Sequence, residues 1–269
     1  MSPDHDEQLE KLKRSLIGIV LEIDRICRDN DLKYVIVGGT LLGAIRHKGF
    51  IPWDDDLDIA MPREDYNRFI RLSRELLPED LYFRCFETDR NYYLPFGKVC
   101  KKGTTYVTEL DSDQTKDNEI FVDVFPLDRA SGPSSVLLKL RAHLVKGLKA
   151  VIIRKKGLNI KKTSPQVRLL QALFHFFPTE KLMAMQQKAM EMGSDRGSYY
   201  TNLGSNYHYQ KQTMPTDVYF PARTVTFEGR ELQAPGDYEY YLNRIYGAGY
   251  MELPPVEKRV AHRIVSLNV

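Results

Sequence analysis

Leu9, Leu12, Leu16, Ile19, Ile23 and Ile26 recur at steps of three and four residues, which keeps apolar side chains on one stripe of an α-helix. The pattern predicts an amphipathic first helix ending near Asn30. "KYVIV" then reads as a short buried strand stopped by Gly38 and Gly39. "TLLGAIR" has a turn or two of helical character, and "DLDIAM" reads as a second strand closed by Pro62. Residues 63–76 predict a helix with Tyr66, Phe69, Ile70 and Leu77 on one side.

Further on, "LYFRCFE" is strand-like, and "FGKVCKKGTTYVT" predicts two short strands joined at Lys102-Gly103 as a hairpin. "IFVDVF" predicts a strand with Asp123 in its middle and Pro126 after it. From Ser134 to about Met192 the pattern is helical, broken at Pro165 and Pro178. "RTVTFEGRELQAP" predicts a second hairpin, followed by a helix from Asp237 to Tyr246. Strands interspersed with helices define an α/β (α+β) class, a mixed sheet with flanking helices plus a mainly helical accessory lobe.

Charge alters this picture in one place. The net charge of the 269 residues is only +3, yet no acid falls between Asp128 and Glu180 while eleven Lys or Arg do. One reading of this segment is an interfacial helix on the inner membrane leaflet, and another is a groove for an anionic glycan or teichoic-type polymer. A plain solvated basic face is a third. Nucleic acid is disfavoured, because interleaved aromatics and any known nucleic-acid module are missing. Cys27, Cys85 and Cys100 form no CxxC pair, which argues against a disulfide framework or a cysteine zinc site. With a polar N-terminus and no long apolar run, a cytoplasmic location is expected, with peripheral contact at the inner membrane face as the membrane alternative.

The chemistry concentrates in "GGTLLGAIRHKGFIPWDDDLDIA". In a strand, residues two apart share a face, so Asp56 and Asp58 are expected side by side, with Leu57 and Ile59 directed into a core. Neighbouring half-buried carboxylates repel, and a divalent cation relieves that cost, since Mg²⁺ prefers oxygen ligands. Asp123, alone in an apolar run, has the same need. Gly38 and Gly39 after a buried strand let backbone approach an anion closely at a helix start. Together these predict a metal–phosphate site with Asp56, Asp58 and Asp123 as ligands and catalytic acids, and Mg²⁺ or Mn²⁺ as the ion. Asp54 and Asp55 read as solvated loop or helix-cap residues. Arg46 and Lys98 are candidates for donor phosphates, each with a surface role as the alternative. Trp53 is expected to cover the metal loop. Tyr92, Tyr93, Tyr199, Tyr200, Tyr207 and Tyr209 offer aromatic faces to a quaternary ammonium, should the ligand carry one.

"VGGTLLGAIRHKGFIPWDDDLDIAMPREDYNRF" closely resembles the signature of the LicD family, which includes bacterial phosphocholine transferases and, more distantly, fukutin-related proteins. "GKVCKKGTTYV", "FVDVFPLD", "FEGRELQAPGDYEYYLNRIYGAGYMELPP" and "KRVAHR" follow in the same order, so the resemblance covers about Lys33 to Arg263. It implies a nucleotidyltransferase-like fold and transfer of a phosphate-linked headgroup from a CDP-linked donor nucleotide to a glycan acceptor, lipid-linked in one version, with release of CMP. It matches the metal carboxylates to Asp56, Asp58 and Asp123 and the glycine motif to Gly38 and Gly39. The glycines and the DxD stand farther apart than in many nucleotidyltransferases, which suits the LicD branch. The division expected is a catalytic core over 1–130, with a helical lobe and C-terminal segment over 131–269 completing the same unit. Two rivals stay open: an enzyme attaching a nucleoside monophosphate to a small molecule or sugar, and a silent glycan-binding or scaffold protein.

Overall fold

Helix α1 (Pro3–Asp29) buries the whole stripe from Leu9 to Ile26, each of these side chains being nearly inaccessible. The computed structural model describes residues 3–109, 118–157, 168–169, 172–193, 197–259 and 262–269. After α1 come β1 (Val35–Ile36), α2 (Gly38–His47), β2 (Asp58–Pro62) and α3 (Arg63–Leu76). Helix α3 begins where Pro62 ends the strand, carries Glu64 and Asp65 in its first turn, and buries Tyr66, Phe69 and Ile70. Next are β3 (Leu81–Arg84), β4 (Gly97–Lys101), β5 (Thr105–Thr108) and β6 (Ile120–Ala130). Helices α4 (Val136–Lys155) and α5 (Thr179–Glu191) follow, then β7 (Tyr199–Thr201), β8 (Thr213–Pro215), β9 (Arg223–Phe227), β10 (Arg230–Ala234), α6 (Tyr238–Tyr246) and β11 (Ile264–Asn268). The α+β class expected from the pattern is the one observed. Part of the basic segment, 158–167, lies outside the described residues, as does Pro165 within it.

The chain divides into two compact units. One comprises residues 1–83, 98–125 and 217–269; the other comprises 84–97 and 126–216. In the first unit the strand order is β1-β2-β6-β4-β3, with β1 and β2 antiparallel through Val35↔Ala60 and Ile36↔Ile59. The hairpin β9–β10 is as expected; Glu228 and Gly229 turn it with φ of 50° and 70°, the left-handed pair of a two-residue hairpin loop. In the second unit α4 and α5 pack Leu148, Val151 and Ile152 against Leu182, Met183 and Phe86. Arg141 belongs to the basic stretch but is buried, donating to the carbonyls of Arg129, Ala189 and Met190.

Two strand expectations fail. The chain turns at Gly103, but β5 pairs with β11 instead of β4, from Ile264↔Thr108 to Asn268↔Thr105. Turn chemistry fixes a change of direction; it does not choose the partner strand. Nor does Pro126 end β6, which continues to Ala130. Pro removes one ladder donor, and the cost falls where the pairing changes: the Asp123 amide donates to Leu57, whereas Asp128–Ala130 pair with β7.

Candidate active site

The site belongs entirely to the first unit and is built on the crossover from β1 through α2 to β2. The Val37 amide donates to the Asp58 carbonyl (3.1 Å), and the Asp58 amide donates to Thr40 Oγ1 (2.8 Å), so the first turn of α2 and the start of β2 are tied together. Gly38 has φ +58°, and its amide donates to the hydroxyl of buried Tyr241 on α6 (3.3 Å). A Cβ on Gly38 would lie 3.1 Å from Asp58 Oδ2, and one on Gly39 would lie 2.7 Å from Asp54 Oδ2. The glycine positions are the space those two carboxylates occupy. No side chain caps α2 at Val37, so its N-terminal end keeps its preference for negative charge.

Asp123 arrives from β6, half-buried, with Lys98 Nζ 3.5 Å from its Oδ1. The Lys98 ammonium also lies over the Phe121 ring, 3.0 Å from the centroid. Burial is the main cause pushing Asp58 well above the ordinary carboxylate range, followed by the charges of Asp56, Asp123 and Asp54, with Lys98 opposing. Asp54 is pushed up to about 8 by burial and then by Asp56 and Asp55, with Lys13 opposing. Asp56 is raised by burial, then by Asp55 and Asp123; its side chain still reaches water, and that screening weakens the shift without reversing it. The acids therefore act on one another as a single repelling group.

Their geometry departs from the strand picture. Strand β2 begins at Asp58, so Asp56 sits in the entering loop and is exposed, while Asp58 is half-buried and Leu57 and Ile59 are buried. Among the described residues, no three His, Cys, Asp or Glu side chains already converge as a ligand set for a metal ion. The donor chemistry of the cluster nevertheless fits a divalent cation, because these are hard oxygens held together against their own charge.

Arg46 is directed elsewhere. Its guanidinium donates to the carbonyls of Tyr250 and Glu252 (3.0 Å each) and to His47 Nε2 (2.9 Å), tying the end of α2 to the C-terminal segment. Trp53 meets His47 edge-on at 6.5 Å and carries the Arg259 guanidinium 5.7 Å from its ring. Gly49 lies against Glu228, which accepts from the Phe50 amide (2.9 Å), so the turn of β9–β10 braces the loop before the acids. A cavity of about 440 Å³ is lined by Arg14, Ile19, Leu81 and Lys101 and includes none of Asp54, Asp55, Asp56, Asp58 and Asp123.

Asp55 is no solvated loop residue. It is buried and accepts from the Tyr106 hydroxyl (2.5 Å), and His262 Nδ1 lies 3.0 Å from its Oδ2. These partners, with Asp54, Glu228 and Tyr241, are what reasoning along the chain misses. "KRVAHR" was a visible signal for His262, but only β5 and the C-terminal segment together bring its ring to the DDD loop. Tyr106→Phe is expected to destabilise the protein by about 1–3 kcal/mol, since it strips a donor from a buried carboxylate. Thermal unfolding measures this.

A glycine-opened helix thus stands beside interacting carboxylates carried by β2 and β6. Residues 31–143 match the family model described as LicD/FKTN/FKRP, nucleotidyltransferase domain. A lipopolysaccharide cholinephosphotransferase LicD of Haemophilus influenzae is 29% identical over 249 residues, 89% of each chain. An uncharacterised protein of Rickettsia typhi is 43% identical over 70 residues, 26% of this chain and 21% of its own length. One from Rickettsia prowazekii is 44% identical over 66 residues, 22% of this chain and 25% of its own.

Proposed function

We propose that this chain transfers a phosphate-linked headgroup, phosphocholine, from a CDP-activated donor to a hydroxyl of a lipopolysaccharide-type glycan or its precursor, releasing CMP. The observation that carries this reading is the Asp58 carboxylate set against Gly38 at the uncapped start of α2, with Asp54, Asp56 and Asp123 acting on it. The Haemophilus influenzae relative, similar along nearly its whole length, supports the choice of headgroup and acceptor.

Asp56, Asp58 and Asp123 would hold Mg²⁺ or Mn²⁺, Asp56 by turning inward from its exposed position. A cation bound there would neutralise charge on the donor diphosphate and on the carboxylates. The start of α2 receives the diphosphate on its uncapped amides, and Gly38 and Gly39 keep the backbone open to it beside the carboxylates. Lys98 offsets charge beside Asp123. The acceptor oxygen forms a bond to the distal phosphorus while the bond from that phosphorus to the bridging oxygen breaks. CMP leaves with the bridging oxygen, and Asp123 takes the acceptor proton.

The purified chain, given CDP-choline, Mg²⁺ and a lipopolysaccharide-type acceptor, is expected to release CMP and add phosphocholine to the glycan. Pyrophosphate released from a nucleoside triphosphate would favour the nucleotide-attaching rival. No product from a panel of CDP-linked donors would favour a silent glycan-binding protein.

A further inference from the structure

The second unit presents to water large apolar side chains that have no part in the acidic site. Phe176 is 91% exposed, Leu169 63% and Leu173 62%. They stand on a fixed base. Phe174 packs on the core of α4 and α5 and meets Phe177 edge-on at 5.3 Å, and Lys155 donates to the His175 carbonyl (2.7 Å). Ala172 and His175 line a cavity of about 270 Å³ with Val151, Arg154 and Lys155. Leu173 and Phe176 therefore stand on a segment held beside the basic end of α4, Arg154–Lys156, and Leu169 follows Arg168 in the chain.

Exposed leucine and phenylalanine need an apolar medium, and a run of lysine and arginine with no acid interleaved favours an anionic one. A second copy of the chain would set the same positive charge against itself. A free glycan or a nucleic acid would leave the leucines in water. A bilayer with anionic headgroups meets both needs, with the basic groups at the headgroups and Phe176, Leu173 and Leu169 entering the acyl boundary. No described helix is long and apolar enough to cross a membrane, so the contact is peripheral. We infer that Leu169, Leu173 and Phe176, with the basic end of α4, form a face that binds anionic phospholipid bilayers. The inference stands whether or not the catalytic proposal holds.

The test is cosedimentation of the full chain with vesicles of phosphatidylcholine alone or mixed with phosphatidylglycerol, at low and raised salt. Binding is expected only to the anionic vesicles, weaker in high salt, and reduced about 10-fold or more both by L173S/F176S and by R154E/K156E. Both variants alter exposed or half-buried side chains, and circular dichroism checks that they fold. Absence of binding, equal binding to neutral vesicles, or unchanged binding by both variants would overturn the proposal. A wild-type dimer in sedimentation velocity that L173S/F176S converts to monomer would also overturn it, by assigning the face to self-association.

Discussion

Asp58→Asn is expected to lower turnover by roughly 10²–10³-fold and at the same time to raise the melting temperature of the metal-free protein. The two effects have one cause. The Asp58 carboxylate is held well above its ordinary pKa by burial and by Asp56, Asp123 and Asp54, so its ionised form is a cost to the fold at neutral pH. Asn keeps the shape and removes the charge. Relief of about 1 kcal/mol would raise the melting temperature by about 2–4 °C in a chain of this size. The sign with pH is fixed by the same shifts. Between the unfolded carboxylate value and the raised folded values, the folded state binds more protons than the unfolded one, so stability falls as pH rises. For Asp54 that window reaches about 8. Metal-free wild type should therefore melt lower at pH 8 than at pH 5, and Asp58→Asn should show a shallower slope. Mg²⁺ should raise the wild-type melting temperature at pH 8 more than that of the variant. A variant no more stable than wild type without metal, yet inactive, would mean that Asp58 serves the fold and not an ion.

How far the chain can be read in advance depends on where each group finds its partner. Helix α3 is legible to the residue because its apolar period, its starting Pro62 and its acidic first turn are local. The β9–β10 hairpin is legible because Glu228-Gly229 is itself the turn. Asp123 is legible because an acid in "IFVDVF" must find charge compensation, and Lys98 supplies part of it. Asp55 and Arg46 are not legible. Asp55 looks like a solvated neighbour of Asp54 until Tyr106 and His262 arrive from β5 and the C-terminal segment. Arg46 lies between the glycines and the DxD and reads as a phosphate ligand, yet two carbonyls more than 200 residues away take its guanidinium. Long-range partners, more than local propensity, decide where these charged side chains point.

Alanine at Gly38, Gly39 and Gly229 should separate backbone strain from crowding of the acids. Gly229 has φ +70° with nothing within 4 Å of an added Cβ, so Gly229→Ala should cost about 1–2 kcal/mol of strain and leave activity within a few-fold of wild type. Gly38 has a similar φ of +58°, and its Cβ would also press on Asp58 Oδ2 at 3.1 Å. Gly38→Ala should therefore lose at least as much stability as Gly229→Ala and, in addition, roughly 100-fold in activity, because both the diphosphate approach and the Asp58 carboxylate are disturbed. At Gly39 no left-handed φ adds strain, and the contact at 2.7 Å is with the end of a flexible Asp54 side chain, which can swing away. Gly39→Ala is thus expected to unfold within about 1 kcal/mol of wild type yet lose activity as Gly38→Ala does, since the new methyl pushes the Asp54 carboxylate from its place and holds the donor phosphates off the start of α2. Melting temperatures set against CMP release for the three variants give the result. Full activity in Gly39→Ala would show that the donor diphosphate binds away from the start of α2.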